Sequence, residues 1–156
     1  MTFFKVEIAL KKQFFDAIGE SIRKSIISDL NFNLIERISF VDVFFFDFPL
    51  SEEKLKELIE SIFIDPIINF YSINCNAFND FDFSVTIKLK EGITDNIAIV
   101  ALNSLKDFGL ILPENAVKSA RKYYFKGKLK KEDIKFISEK LLFNPLIELA
   151  EIEELK

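Results

Sequence analysis

Histidine is absent from this 156-residue chain, and cysteine occurs once, at Cys75. The first absence removes the commonest general base and metal ligand. A single thiol cannot compose a soft metal site on its own. It also excludes an internal disulfide and fits a reducing cytosol. Glycine is scarce, with only Gly19, Gly92, Gly109 and Gly127. Their spacing forms neither a dinucleotide-binding fingerprint nor a phosphate loop. No uninterrupted apolar run reaches the roughly 18 residues needed to span a membrane. The net charge of −4 has the wrong sign for a nucleic-acid footprint. The inventory therefore predicts no catalytic residues, no cofactor and no metal; only scattered carboxylates and lysines remain for chemistry.

What is present is apolar and aromatic. Hydrophobic residues make up 49% of the chain and 19 residues are Phe. A chain of this length forms one compact domain that can bury roughly 70% of its unfolded surface. Its first residues, Met-Thr-Phe-Phe-Lys-Val-Glu-Ile, alternate and carry charge, so they read as a strand rather than a signal peptide.

The chain repeats itself. A shift of 79 places Phe4–Asn74 over Phe83–Glu153 without a gap, and about 16 of 71 positions are then identical. That period is too long for a solenoid unit but suits half of a pseudo-symmetric domain.

Each copy opens with strict alternation: Phe4, Val6, Ile8 and Leu10 in the first, Phe83, Val85, Ile87 and Leu89 in the second. Period two with one apolar side predicts a strand with one buried face. A helix follows. Asp16 is placed to cap the first, whose stripe is Ile18, Ile22, Ile26 and Leu30. Thr94 or Asp95 caps the second, and Gly109 is placed to end it in the left-handed conformation. This second helix adds Ile99, Val100 and Leu102 to the stripe of Ile97, Ala101 and Leu105, as a helix covered on two sides would. Next comes a long strand, Ile38–Phe48, too apolar for a solvated face. Its counterpart Val117–Leu129 is basic, with Lys118, Arg121, Lys122, Lys126 and Lys128. A final helix, capped by Ser51 in the first copy, stops at Asp65-Pro66 and at Asn144-Pro145. Proline disfavours helical geometry in the residue before it. Short strands Ile67–Ile73 and Leu146–Ile152 close the copies.

The expected organisation is thus a first unit at 1–76, an Asn- and Asp-rich connector at 77–82, and a second unit at 83–156. Each reads β-α-β-α-β. Three strands alone leave a sheet edge or face unsatisfied. Two units pairing about a pseudo-twofold would resolve this within one chain. The predicted fold is α+β, a two-layer antiparallel sheet and helix domain.

The run Glu139-Lys140-Leu141-Leu142-Phe143-Asn144-Pro145-Leu146-Ile147-Glu148 resembles the closing tail of the PurS family, the small subunit of phosphoribosylformylglycinamidine synthase. Asp16-Ala17-Ile18-Gly19 resembles that family's helix start, and Val117-Lys118-Ser119-Ala120-Arg121 its Val-Arg-x-Gly-Lys strand, with Ala in place of Gly. The second copy departs from the pattern at Ala98, where the helix Gly would stand, and the first at Phe40-Val41-Asp42, where a basic strand would stand. The resemblance covers nearly the whole chain and implies two tandem PurS-like, ferredoxin-like-related units. It implies a cytoplasmic, non-catalytic subunit of an ATP- and glutamine-dependent ligase in purine biosynthesis. Such a subunit bridges a PurL-type synthetase and a PurQ-type glutaminase, supports ammonia transfer, and can itself pair as a homodimer.

Candidate partner-contact residues are Lys118, Arg121, Lys122, Asn144 and Pro145. A plainer reading stands beside each. The basic residues can be a solvated strand face with lysines guarding an edge, and Asn144-Pro145 a helix stop. Phe44-Phe45-Phe46 reads as core between sheet and helices, with an exposed partner patch as the alternative. A second function class is a ferredoxin-like module binding a small regulatory molecule. It would want a glycine-bearing loop after the first strand, and only Gly92 supplies one.

Overall fold

The computed structural model describes residues 3–156. Met1 and Thr2, read above as the start of the first strand, lie outside them. Six strands and four helices run in the order β1 (Phe3–Leu10), α1 (Ala17–Leu30), β2 (Ile35–Asp47), α2 (Glu52–Leu58), β3 (Asn69–Ile73), β4 (Phe83–Leu89), α3 (Asn96–Asp107), β5 (Val117–Gly127), α4 (Lys131–Ile137) and β6 (Glu148–Glu154). The fold is α+β, with an antiparallel sheet ordered β3-β1-β2-β5-β4-β6. Helices α2 and α4 each end in a π-helical turn, Ile59–Phe63 and Ser138–Leu142, which periodicity alone did not reveal.

The chain packs as two compact units, and these cut across the repeat. The first takes the chain up to Phe14, then Asp42–Ala77 and Thr94–Ser119. In it β1 lies between β3 and the second half of β2, with Ile8 opposite both Tyr71 and Asp42. Its core joins Phe4, Val6, Ile8 and Phe46 to Leu55, Leu58 and Ile59 of α2 and its extension. The same core contains Ala98, Ala101, Leu102 and Leu105 of α3, a helix from the other sequence copy.

The second packing unit comprises Phe15–Val41, Phe78–Ile93 and Ala120–Lys156. Here β4 lies between β5 and β6, with Ile87 opposite both Arg121 and Ala150. Its core joins Phe83, Val85, Ile87, Tyr123 and Phe125 to Ile134, Ile137 and Leu142, and it takes in Ile26 of α1. Each unit therefore holds the first and last strands of one copy with part of its long strand, together with the first helix and the start of the long strand of the other. The exchange is carried by long strands. β2 has 13 residues, and at about 3.3 Å per residue it spans roughly 40 Å, enough to begin in one unit and end in the other. The connector read as 77–82 is divided too, with Ala77 in the first unit and Phe78 onward in the second. It is packed rather than loose. Phe81 is fully buried, with Phe78 and Tyr124 rings 5.2 and 5.4 Å from its own.

The helix starts are built alike. Asp16 Oδ1 accepts from the Gly19 N–H (2.8 Å), and its Oδ2 accepts from the Phe40 N–H (2.8 Å). Asp95 does the same for Ala98 (2.9 Å) and Ser119 (2.8 Å). Each aspartate caps a helix and ties it to the following strand. At Gly19 a Cβ would stand 2.3 Å from the Ile38 carbonyl oxygen, so the helix approaches the strand there closer than any side chain allows. Gly109 takes φ +101° just past the end of α3, as its placement predicted.

The outward side of α3 is not covered. Ile97 and Val100 are 61% and 65% exposed. The expectation of a helix buried on two sides holds for its inner face alone; the outer apolar residues line the wall of a cleft.

Candidate functional site

The segment after each terminal helix makes the same turn twice. In the second unit the Leu146 N–H donates to Asn144 Oδ1 (3.0 Å), and the Ile147 and Glu148 N–H groups donate to the Asn144 carbonyl. Lys90 Nζ donates to the Pro145 carbonyl (2.6 Å). In the first unit the Ile67 N–H donates to Asp65 Oδ1 (2.9 Å), Ile68 and Asn69 donate to the Asp65 carbonyl, and Lys11 Nζ donates to the Pro66 carbonyl (2.6 Å). The chain direction is thus set by side-chain-to-backbone bonds and a proline.

Around this turn the second unit assembles three of the five candidates. The Arg121 guanidinium donates to both carboxylate oxygens of Glu148 and to the Leu142 carbonyl. Glu148 also accepts from the Asn144 N–H (2.9 Å). Arg121 therefore closes the end of the last helix and holds the carboxylate that holds the turn. Such bidentate charge-assisted bonds are the strong kind. Glu148 is buried. The Arg121 guanidinium and the Asn144 N–H hold its carboxyl below the usual carboxylate range, outweighing the opposing effect of desolvation. Asn144 and Pro145 are exposed at the tip.

The other two candidates lie elsewhere. Lys122 points to the opposite side of β5 and is only 2% exposed, its ammonium 4.7 Å from the Tyr124 ring centroid. It is thus not part of a solvated face. Lys118 is exposed and belongs to the first packing unit. Phe46 is buried, with Phe44 and Phe45 partly so, and the rings of Phe44 and Phe46 pack on Phe63.

The same register reveals a residue that the basic-strand argument passed over. Ile87 faces Arg121 across β4 and β5, and Ile8 faces Asp42 across β1 and β2. Asp42 thus holds in the first unit the place that Arg121 holds in the second. The residue equivalent to Glu148 is Asn69, whose side chain instead accepts from the Asp65 N–H (3.0 Å). The first unit keeps the turn and lacks the ion pair. At Asp42, Ile8 and Phe63, the counterparts of Arg121, Ile87 and Leu142, there is a cleft of about 520 Å³, which Asn69 does not line. Ile8, Phe44 and Phe63 form its floor and one wall, and Ile97 and Val100 of α3 form the other. Asp42 lies at its mouth. Burial by the surrounding apolar groups pushes its carboxyl above the usual range. The 79-residue offset was the available signal, since it aligns Asp42 with Arg121.

A smaller cleft of about 360 Å³ in the second unit is lined by Glu36, Asp82, Lys126, Glu154 and Lys156 among others. Two of its charges, Asp82 and Lys156, engage each other. Asp82 accepts from the Gly127 N–H (2.9 Å) and pairs with Lys156 (3.4 Å). The Gly127 N–H in the first place, then Lys156, holds the Asp82 carboxyl below its ordinary value against desolvation. Among the described residues no group of three or more His, Cys, Asp or Glu side chains is placed to hold a metal ion. No helix among them is long and apolar enough to cross a membrane. These arrangements can bind and position.

Residues 3–77 match the family model of PurS, described as phosphoribosylformylglycinamidine (FGAM) synthase. Over this segment, just under half of its length, the chain is similar to the PurS family. The match supports a role related to FGAM synthase in purine biosynthesis. The PurS match takes in β1, α1, β2, α2 and β3 and ends before β4. A comparison with curated proteins found no significant match.

Proposed function

We propose that the chain is a non-catalytic, cytoplasmic bridging subunit of FGAM synthase, carrying two PurS-like units in tandem. It holds a PurL-type synthetase subunit and a PurQ-type glutaminase subunit together and supports passage of glutamine-derived ammonia between them. The observation that carries this reading is the family match over residues 3–77. The extension to the second half rests on the recurrence, 79 residues on, of the same capped helix, strand register and proline turn. The exposed Lys118 and the exposed Asn144-Pro145 turn belong to the partner-facing surface in this reading. Arg121 and Lys122 serve the fold.

Reconstitution tests this. The chain mixed with the synthetase and glutaminase subunits, with ADP and glutamine present, is expected to yield one three-component species by size-exclusion chromatography. It should raise glutamine-dependent amidine formation while leaving ammonia-dependent formation nearly unchanged. Failure to associate with either subunit, with and without ADP and glutamine, would sink the proposal.

A further inference from the structure

The two units differ in one cleft. In the second, Arg121 lies against Ile87 and reaches the Leu142 carbonyl and Glu148. In the first, the equivalent frame is present, Asp42 opposite Ile8 and the extension of α2 ending at Phe63, but no guanidinium enters it. Among the described residues the Asp42 carboxylate has no hydrogen-bond or ion-pair partner. The open volume of about 520 Å³ lies within the range of roughly 300–1,000 Å³ typical of ligand clefts. Its lining is mostly apolar, with Asn96 and Ser104 of α3 as neutral polar members and the exposed Asp42 as its one charged residue. Ile97 and Val100, which form the rim, are more than half exposed. The aligned positions on α1 are Ile18 and Ser21, and Glu20 stands where α3 has Ile99. The wide apolar rim is therefore specific to α3 and not a requirement of the helix position.

We propose that the Asp42 cleft is a docking site for an arginine side chain carried on an apolar segment of a partner protein. The proposal rests on the bridging role above and gives it a contact. Charge complementarity selects a cation, since an ionised carboxylate among apolar walls is stabilised by a charge-assisted partner. Arg121 shows that a guanidinium suits this frame when it comes from within the chain. The exposed Ile97 and Val100 of the cleft offer apolar surface beside the cation, which an apolar segment covers and a free small cation does not. Arginine suits such a place better than lysine, being planar and more weakly hydrated.

The test titrates the isotope-labelled full chain with a synthetic leucine-rich helical peptide bearing one central arginine, followed by NMR. The comparators are the same peptide with neutral citrulline, and N-acetylarginine amide. The expected result is peptide-induced shifts at Asp42, Ile97 and Val100, with Kd at least tenfold weaker for the citrulline peptide and for Asp42→Asn. A double variant, Asp42→Arg with Asn69→Glu, installs the pair that the second unit already contains. It is expected to fold and to lose peptide binding. No shift at millimolar peptide, equal affinity for the citrulline peptide, or retained binding by the folded double variant overturns the proposal. So does N-acetylarginine amide binding as tightly as the peptide, which would make the cleft a small-cation site. Asp42-dependent dimerisation in sedimentation would assign the cleft to a second copy and overturn it as well. Failure of the peptide with intact three-component assembly removes this docking site and leaves the bridging role. Peptide binding without assembly removes the bridging role alone.

Discussion

Asp42 and Arg121 occupy the same place in two copies of one frame and carry opposite charge. Arg121 finds its carboxylate two strands away, on β6, and the pair secures the turn that ends the second helix. Asp42 has Asn69 at the corresponding place, and the turn closes without an ion pair. The difference teaches that the frame itself does not need the pair. Strand register, the aspartate caps and the proline turns are enough to reproduce it. What the pair changes is whether the cleft is filled from within or left open.

The largest expected effect breaks the likeness of the two helix starts. Gly19 and Ala98 are equivalent, but a Cβ at Gly19 would stand 2.3 Å from the Ile38 carbonyl oxygen, while the Ala98 methyl is already accommodated in the core. Gly19→Ala must push the helix off the strand and strain the Asp16 cap. Overpacking of that kind costs up to about 3 kcal/mol. The reciprocal Ala98→Gly loses about 1 kcal/mol of helix propensity and roughly 0.8 kcal/mol of buried methyl. Urea unfolding of the two variants should therefore rank Gly19→Ala as the more damaging. The reverse order would mean that the close approach at Gly19 relaxes at no cost.

Much of this frame was legible in the sequence, for physical reasons. Alternation at Phe4–Leu10 and Phe83–Leu89, the capping aspartates, Gly109 and the prolines are local signals, each acting within a few residues. The exchange of α1 and α3 between packing units was not legible. A helix with an apolar stripe fits any apolar sheet face of the right size, and Ile26 and Leu105 carry no mark of which sheet they cover. The site was half legible. The basic run on β5 drew attention to Arg121. Strand alternation turned its neighbour Lys122 to the other side, where it is buried beside Tyr124. Asp42 lay hidden among phenylalanines and acquires meaning only from the residue it replaces.

A second expected effect separates the paired from the unpaired position. Arg121→Met keeps much of the side-chain volume but leaves the buried Glu148 carboxylate without its counter-charge. Breaking a fully buried pair costs about 3–5 kcal/mol. Arg121 is a third exposed, so a loss of about 2 kcal/mol is expected. Asp42→Asn removes no internal partner and should stay within about 0.5 kcal/mol of the wild type. Equal losses at the two positions in urea unfolding would contradict the view that one cleft is closed by its own residues and the other is not.

The smallest effect is the pH dependence, and its sign differs between the two positions. The Glu148 carboxyl titrates below its ordinary value of 4.5 in the folded chain, chiefly through the Arg121 hydrogen bonds. In acid the unfolded chain takes up its proton first. The stabilisation is thus complete above about pH 4.5 and is lost as pH falls through the folded value. Asp42 titrates above its ordinary 3.8 because burial disfavours its charge. The folded chain then takes up the proton first, so ionised Asp42 costs stability above its folded value, and that cost vanishes on acidification. Glu148→Gln should accordingly be less stable than the wild type at pH 7 and converge with it toward pH 3. Asp42→Asn should be slightly more stable at pH 7, with the gain disappearing in acid. Asp42 as a residue is exposed, so the desolvation of its carboxyl is incomplete and solvent screening limits that gain. Midpoints of thermal unfolding from pH 3 to pH 7 would read both curves. Parallel curves for the two variants would remove the electrostatic distinction between the clefts. Opposite curves would mean that Asp42 carries a charge the isolated chain holds at a cost, which a cationic partner seated in the cleft would offset.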